Sequence, residues 1–363
     1  TPYLSAGEKG WIFIIANDKN QAKIVKNYIS GIFNHNQLFK RMLRKETAEV
    51  LELKNDIVIS VKTCDFRTVR GYSILCAILE EIAFWRSEDC ANPDKEVLGA
   101  IRPALATIPE SLLIGISTPY SRAGVLYDTF KKYYGQEGGP FIWKAPTQVM
   151  NPTISEETIE KALGEDPEAA KAEWLAEWRS DVNAFLPVEI IEACVIPERY
   201  ELAPDPKIWY QGFLDPSGGR SDSFTLAIAH REGGGENQKI ILDLIREVKP
   251  PFKPEAVCEE FAAIIEKYGA PVKADRYAGE WVTSSFRKLG VRLKPSEFSA
   301  SELYLEFLPM ITQGNVELLD SKRLISQLSG LERRVRPGGQ DQITHLPGAH
   351  DDLANAVAGA CVM

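Results

Sequence analysis

The chain has 363 residues, of which 44% are hydrophobic and 26% charged, and its formal net charge is −9. This length predicts about two domains, and the composition is ordinary for a soluble globular protein. No apolar run approaches the roughly 20 residues of a membrane span, and the N-terminus lacks the basic region and apolar core of a signal peptide, so we expect neither a membrane protein nor a secreted one. The six cysteines form no C-x-x-C pair, which predicts reduced thiols in a cytosolic compartment. The negative charge disfavours a nucleic-acid partner unless basic patches and metal ions offset the repulsion.

Continuously apolar segments separated by helical ones predict a parallel sheet in residues 1–140, covered on both faces. Lys9–Asn17 is typical of a buried strand, and Asp18 can cap a helix that runs to about Phe33. Further strands are predicted at Asp56–Lys62, Ile74–Leu79 and Leu112–Ile116.

Two acids, Glu80 and Glu81, follow the third of these strands. Ligands bind at this end of the strands in open α/β sheets. In a nucleotide-hydrolysing site one acid holds Mg²⁺ while a second polarises the attacking water. The alternative is that the pair only begins a solvated helix. No G-x-x-x-x-G-K-[ST] phosphate loop occurs in the chain, so we expect it to bind ATP poorly.

Residues 141–205 have the pattern of a helical connector. Ser155 and the pair Asp166-Pro167 are each typical of a helix start. The Pro-rich segment Pro197–Pro206 is typical of a domain boundary.

Residues 206–363 predict a mixed sheet. Three strands joined by short connections, and therefore antiparallel, are predicted at Ile208–Asp215, Ser223–His230 and Lys239–Val248. Helices and short strands then alternate in the order of a ribonuclease-H-like nuclease. The predicted helices are Pro254–Tyr268, Glu280–Leu289, Ser299–Thr312, Ser321–Arg334 and His350–Val362, and the predicted strands are Pro271–Asp275, Val291–Lys294 and Asn315–Leu319.

Acids stand at the ends of three of these elements: Asp215, Asp275 and the pair Asp351-Asp352. Clustered carboxylates repel one another unless a metal neutralises them. Their hard oxygens suit two Mg²⁺ or Mn²⁺ ions that act on a phosphodiester. Each acid also has an alternative role: Asp215 could form a turn, Asp275 could pair with Arg276, and the last pair could cap a helix.

Several motifs resemble those of phage terminase large subunits, the motors that package viral DNA. The segments LDPSGGRSDSFTLAI, ADRYAGEW and HDDLANA resemble the nuclease motifs of that family. The segments ILCAILEEIAFW and ISTPYSRAGVLYDTF resemble its Walker B and coupling motifs. The resemblance implies an α/β fold in three parts: a truncated P-loop-type ATPase segment in residues 1–140, the connector in 141–205, and a ribonuclease-H-like nuclease domain in 206–363.

The resemblance also implies roles for individual residues. Glu80 would hold the metal and Glu81 would be the catalytic acid of the ATPase, although the family usually has Asp at the position of Glu80. Because the family's phosphate loop lies N-terminal to the region where this chain begins, ATP would be a cofactor only of the complete protein. In the nuclease, Asp352 is favoured over Asp351 as the ligand of its pair, and Asp222 resembles an auxiliary acid.

The implied function is a metal-dependent endonuclease that cleaves concatemeric viral double-stranded DNA during packaging, coupled in the complete protein to ATP-driven translocation. The implied partners are DNA, a portal protein and a small terminase subunit, and the implied location is the host cytoplasm. Basic residues that could contact DNA, or form a solvated helix face, are Lys322, Arg323, Arg333, Arg334 and Arg336. Two alternatives stay open: another ribonuclease-H-like nuclease of the resolvase or transposase type, and a non-catalytic module that docks on a portal or capsid.

Overall fold

The computed structural model describes residues 4–85, 92–220, 222–235, 238–276, 279–335, 341–345 and 349–362. They form an α/β protein with mixed sheets, in two units that comprise Thr1–Val182 and Asn183–Met363. The five cysteines in this part of the chain are free thiols. No helix among the described residues is both long and apolar enough to span a bilayer.

The first unit is built on a six-stranded sheet with the order β2-β3-β4-β1-β5-β6. Its strands are β1 Gly10–Ala16, β2 Leu43–Glu46, β3 Val50–Leu53, β4 Ile57–Thr63, β5 Ser73–Glu80 and β6 Leu112–Ile116. Its helices are α1 Lys19–His35, α2 Gln37–Met42, α3 Pro93–Ala106, α4 Gly124–Tyr133, α5 Thr147–Met150, α6 Glu156–Glu165 and α7 Pro167–Leu175. Strands β4, β1, β5 and β6 are parallel, as predicted.

Two features of this sheet correct the prediction. The polar, basic segment before β4 forms the antiparallel strands β2 and β3, so the sheet is not wholly parallel. Both faces are covered at β1, where Phe13 and Ile14 are completely buried, but not at β6. There Leu112 is 54% exposed and Ile116 56% exposed, although their apolar run is typical of a central strand.

The second unit contains a six-stranded sheet with the order β12-β11-β8-β9-β10-β13 and a three-stranded sheet with the order β15-β14-β7. The strands are β7 Val182–Ala184, β8 Tyr210–Asp215, β9 Phe224–Glu232, β10 Lys239–Val248, β11 Val272–Ala274, β12 Leu293–Pro295, β13 Val316–Glu317, β14 Leu331–Val335 and β15 Asp341–His345. The helices are α8 Val188–Cys194, α9 Pro254–Tyr268, α10 Glu280–Lys288, α11 Ala300–Thr312, α12 Lys322–Ser329 and α13 Asp352–Val362.

The antiparallel pairing of the first three strands in the larger sheet agrees with the prediction. Strand β9 is antiparallel to both β8 and β10, whereas β11 is parallel to β8 and to β12. One apolar core lies between one face of this sheet and helices α11 to α13, and a second core lies between the other face and helices α9 and α10.

The predicted basic helix Ser321–Arg334 is wrong in its second half. Helix α12 ends at Ser329, and Leu331–Val335 is a strand that pairs with Asp341–His345. Gly330 interrupts the helical pattern, and pairing with Asp341–His345 overrides the helical propensity of the residues that follow.

Candidate metal centre

Two carboxylates lie side by side at one edge of the larger sheet. Strands β8 and β11 are parallel and pair Leu214 with Ala274, so the next residues, Asp215 and Asp275, lie together at the C-terminal ends of these strands. The backbone N–H of Asp275 donates to the carbonyl of Leu214 at 2.9 Å, which continues the pairing to the acids themselves. Alternation along β8 places Asp215 on the same face as Phe213, and that face packs against α13.

Helix α13 carries a third acid to this edge. Its sequence is rich in Ala, and Gly359 lies so close to β8 that a Cβ there would be 2.3 Å from the ring of Phe213. Two further contacts fix the helix on the sheet: the amide of Gln211 donates to the Ala360 carbonyl at 2.7 Å, and the Thr225 hydroxyl donates to the Asp352 carbonyl at 2.8 Å. The first turn of α13 is thereby held against the C-terminal end of β8.

The sequence interpretation missed one polar residue of this site, Asn355. Its side-chain Nδ2 donates to Oδ2 of Asp215 at 2.7 Å and to Oδ2 of Asp275 at 3.2 Å, so the two carboxylate oxygens lie within about 6 Å of each other. Asn355 is only 4% exposed, and its Oδ1 accepts no hydrogen bond from any described residue. The sequence feature that could have identified Asn355 is its spacing: it follows Asp352 by three positions and therefore lies on the same face of the helix.

Burial, with a smaller contribution from like charges, raises the pKa of two of these acids, Asp215 and Asp352. Burial is the main cause that raises the pKa of Asp215 well above its usual value, and the charges of Asp275, Asp352 and Asp351 add to it, whereas the hydrogen bond from Asn355 opposes it. Burial also raises the pKa of Asp352 to about 6, helped by Asp351. A site in which burial and like charge both disfavour ionised carboxylates is one that a cation would stabilise.

Asp351 and Asp222 have surroundings different from those of the central acids. The hydroxyl of Tyr304 donates to Asp351 Oδ2 at 3.0 Å, and His345 Nε2 lies 3.6 Å from its Oδ1. The side chain of Asp222 is 63% exposed and lies 3.8 Å from His350 Nδ1. The same nitrogen is 3.9 Å from Oδ2 of Asp352, so His350 lies between the two acids.

The donor chemistry of this site fits a hard divalent cation. Carboxylate and amide oxygens are the ligands that Mg²⁺ and Mn²⁺ prefer. The buried, unpartnered Asn355 Oδ1 is an oxygen that an ion or its water could satisfy. Across the described ranges, no group of three or more His, Cys, Asp or Glu side chains is already arranged to hold an ion. The metal roles of Asp215, Asp275, Asp352, Asp351 and Asp222 stay predictions.

The acidic pair of the first unit is placed at the end of β5. Glu81 adopts a left-handed backbone with φ 50°, and its Oε2 accepts from the Ser117 hydroxyl and the Thr118 N–H, both at 3.2 Å. Oε2 of Glu80 is buried and accepts no hydrogen bond from the described residues. Burial, followed by the charge of Glu81, raises the pKa of Glu80. Strained backbone and unsatisfied buried carboxylates concentrate at functional sites.

The basic residues singled out as DNA contacts do not form one surface helix. Arg323 is 12% exposed and pairs with Glu247 at 2.5 Å, whereas Lys322 on the same helix is exposed. Arg333 is exposed on strand β14, and Arg334 lies 3.4 Å from Glu332. Arg336 lies outside the described residues.

Several solved structures are similar to this chain, although no family model and no curated protein sequence matches it. The large terminase of bacteriophage HK97 is 18% identical, with 98% of this chain and 84% of that chain covered and a TM-score of 0.41. A large terminase from a thermophilic bacteriophage is 9% identical, with 98% of this chain and 86% of that chain covered and a TM-score of 0.41. The large terminase nuclease from thermophilic phage G20c with bound magnesium is 16% identical, with 49% of this chain and 96% of that chain covered and a TM-score of 0.42.

At these identities and TM-scores the likeness assigns neither activity nor partner to this chain. The similar solved structures include large terminases of phages, both whole chains and nuclease domains.

Proposed function

We propose that this chain is part of a phage terminase large subunit and cleaves double-stranded DNA as a divalent-metal-dependent endonuclease. The observation that carries the proposal is the contact of the Asn355 amide with both Asp215 and Asp275, on the helix whose first turn bears Asp352. The strand order β12-β11-β8-β9-β10, with one strand antiparallel among parallel neighbours, supports a ribonuclease-H-like nuclease domain. The motifs that resemble the terminase nuclease are the segments that bear these acids.

The residues that would hold the metal are Asp215, Asp275 and Asp352, with Asp351 and Asp222 nearby. A pair of Mg²⁺ or Mn²⁺ ions supplies Lewis acidity at the phosphodiester when bound. Without cations the three acids repel the DNA backbone, and two bound divalent ions would more than neutralise their charge of −3. The backbone N–H of Ser223 donates to Oδ2 of Asp352 at 3.1 Å and orients this carboxylate.

The first unit supports a second part of the same proposal, a truncated P-loop-type ATPase segment. Glu80 would hold Mg²⁺, and Glu81, oriented by Ser117 and Thr118, would polarise water. ATP would act only in the complete protein, which would translocate concatemeric viral DNA with a portal protein and a small terminase subunit. The place of action would be the host cytoplasm.

The test of the nuclease is nicking of supercoiled plasmid by the full chain with Mn²⁺, Mg²⁺ or EDTA. We expect metal-dependent nicking that Asp215→Asn reduces by about 100-fold or more, because loss of a group acting in the chemistry typically costs that much. The matched control is Asp205→Asn, since Asp205 is exposed and precedes the opposite end of β8, and this variant should keep wild-type activity.

Nicking in EDTA, or undiminished nicking by Asp215→Asn, would contradict the proposal. Preference for branched over linear DNA would instead indicate a resolvase-type nuclease. A folded protein that neither binds metal nor nicks DNA would indicate a docking module.

A further inference from the structure

Asn355 differs from the ionised acids of the site because its side chain carries both a hydrogen-bond donor and an acceptor. Its Nδ2 has two acceptors, on Asp215 and Asp275, at 2.7 and 3.2 Å. Its Oδ1, in the same planar amide and about 2.3 Å from Nδ2 by covalent geometry, has no donor among the described residues. A buried acceptor without a donor is costly, so an unpaired oxygen at this position requires an explanation.

The position of Asn355 is fixed by the fold. The side chain stands on the face of α13 that packs on the sheet, one turn before Gly359, whose missing Cβ allows the close approach to Phe213. The amide therefore lies between the first turn of the helix and the ends of β8 and β11. It lies within hydrogen-bonding distance of one carboxylate oxygen at the end of each strand.

Side chains of His, Cys, Asp and Glu alone do not complete a three-ligand cation site within the described ranges. Asp215 and Asp275 supply two oxygens that both contact the amide of Asn355. That amide lies in contact with both carboxylates, so it could supply a further oxygen beside them. Amide oxygens are ordinary ligands of hard cations.

We infer that Asn355 is a neutral ligand and positioning residue of the metal site. Without an ion, its Nδ2 holds Asp215 and Asp275 together and offsets their repulsion. When an ion enters, the amide turns about its Cβ–Cγ bond and Oδ1 joins the two carboxylates as a third oxygen. This inference rests on the proposed metal-dependent function and names a residue that the motif resemblance did not assign.

The test compares Asn355→Leu, which has neither donor nor acceptor, with Asn355→Asp, which keeps the oxygens and lacks the donor. Binding of Mn²⁺ to the full chain is measured by calorimetry, and melting temperature is measured with and without Mn²⁺. Tyr268→Phe is the matched control, because it also removes a buried side-chain hydrogen bond, to the Leu202 carbonyl, but from helix α9 on the other face of the sheet.

We expect Asn355→Leu to weaken Mn²⁺ binding about 10- to 100-fold, the usual effect of removing a group that orients metal ligands. Asn355→Asp should melt at a lower temperature than the wild type without metal, because it adds a buried charge beside Asp215 and Asp275. It should nevertheless bind Mn²⁺ at least as tightly, and Mn²⁺ should raise its melting temperature more. Tyr268→Phe should bind Mn²⁺ as the wild type does.

Wild-type Mn²⁺ affinity in Asn355→Leu would overturn the inference and leave the nuclease proposal intact. So would a loss of binding in Asn355→Asp as large as that in Asn355→Leu, since the oxygen would then have no role. Absence of Mn²⁺ binding by the wild type would overturn both the inference and the proposed function.

Discussion

Gly359→Ala is the substitution whose effect follows most directly from the structure. The added Cβ would lie 2.3 Å from two ring carbons of Phe213, whereas carbon atoms in contact are about 3.5–4.0 Å apart. Phe213 is completely buried, so its ring has no solvent to move into. The helix must therefore move away from the sheet by about 1 Å to restore ordinary contact distances, or the ring must leave its rotamer.

Overpacking of this size costs about 3 kcal/mol, at the upper end of the usual range. The better helix propensity of Ala offsets about 1 kcal/mol of this destabilisation. The net loss of about 2 kcal/mol corresponds to a fall in melting temperature of roughly 4–8 °C for a unit of this size. Movement of α13 would also stretch the contacts of Asn355 with Asp215 and Asp275, now 2.7 and 3.2 Å, beyond hydrogen-bonding distance. A displacement of about 1 Å can reduce the rate about 100-fold.

The assays are thermal unfolding and plasmid nicking, with two accompanying variants. Gly99→Ala is the matched control, because Gly99 is also in a helix but nothing lies within 4 Å of its added Cβ. It should gain up to about 1 kcal/mol and keep wild-type nicking. Phe213→Leu combined with Gly359→Ala should recover part of the lost stability, since the two sites are coupled. A Gly359→Ala protein as stable and as active as the wild type would refute the argument.

Three further predictions concern pH, nucleotide and DNA. The pKa of Asp352 is raised from 3.8 to about 6 in the folded state, so its contribution to the free energy of unfolding is complete below pH 3.8 and is lost as pH rises through about 6. Asp352→Asn should therefore flatten the plot of the free energy of unfolding against pH for the metal-free protein in this range. An unchanged slope would contradict the prediction. The chain should bind ATP weakly in calorimetry, and ATP hydrolysis that Glu81→Gln abolishes would show that expectation to be wrong. Arg333→Ala, at an exposed position, should lower DNA affinity and reduce the slope of log affinity against log salt concentration by about 1. Arg323→Ala should mainly lower the melting temperature, because it removes the ion pair between Arg323 and Glu247. Equal salt slopes for the two variants would rule out this distinction.

Several parts of the fold followed from local pattern. The apolar run Leu112–Ile116 and the amphipathic helix Pro254–Tyr268 were predicted with the bounds that the structure has. In both cases the hydrophobic period and the flanking residues match the observed element. Strand directions followed from connection length, because short loops join antiparallel neighbours.

Other parts depended on pairing that local propensity does not show. The antiparallel strands before Asp56 and the strand Leu331–Val335 form because strand pairing overrides weak local propensity. Arg323 forms a salt bridge with Glu247, which lies on strand β10. A run of basic residues in the sequence does not reveal this partner.

The sequence by itself determined which carboxylates stand at the ends of elements, and therefore that Asp215 and Asp275 could meet. Only the tertiary structure decided that an asparagine from the last helix lies between them, at 2.7 and 3.2 Å. The reason is geometric: the ends of two parallel strands coincide by register, which a sequence pattern encodes. The depth at which a helix packs on a sheet is set by close contacts such as that of Gly359 with Phe213, which no pattern along the chain displays.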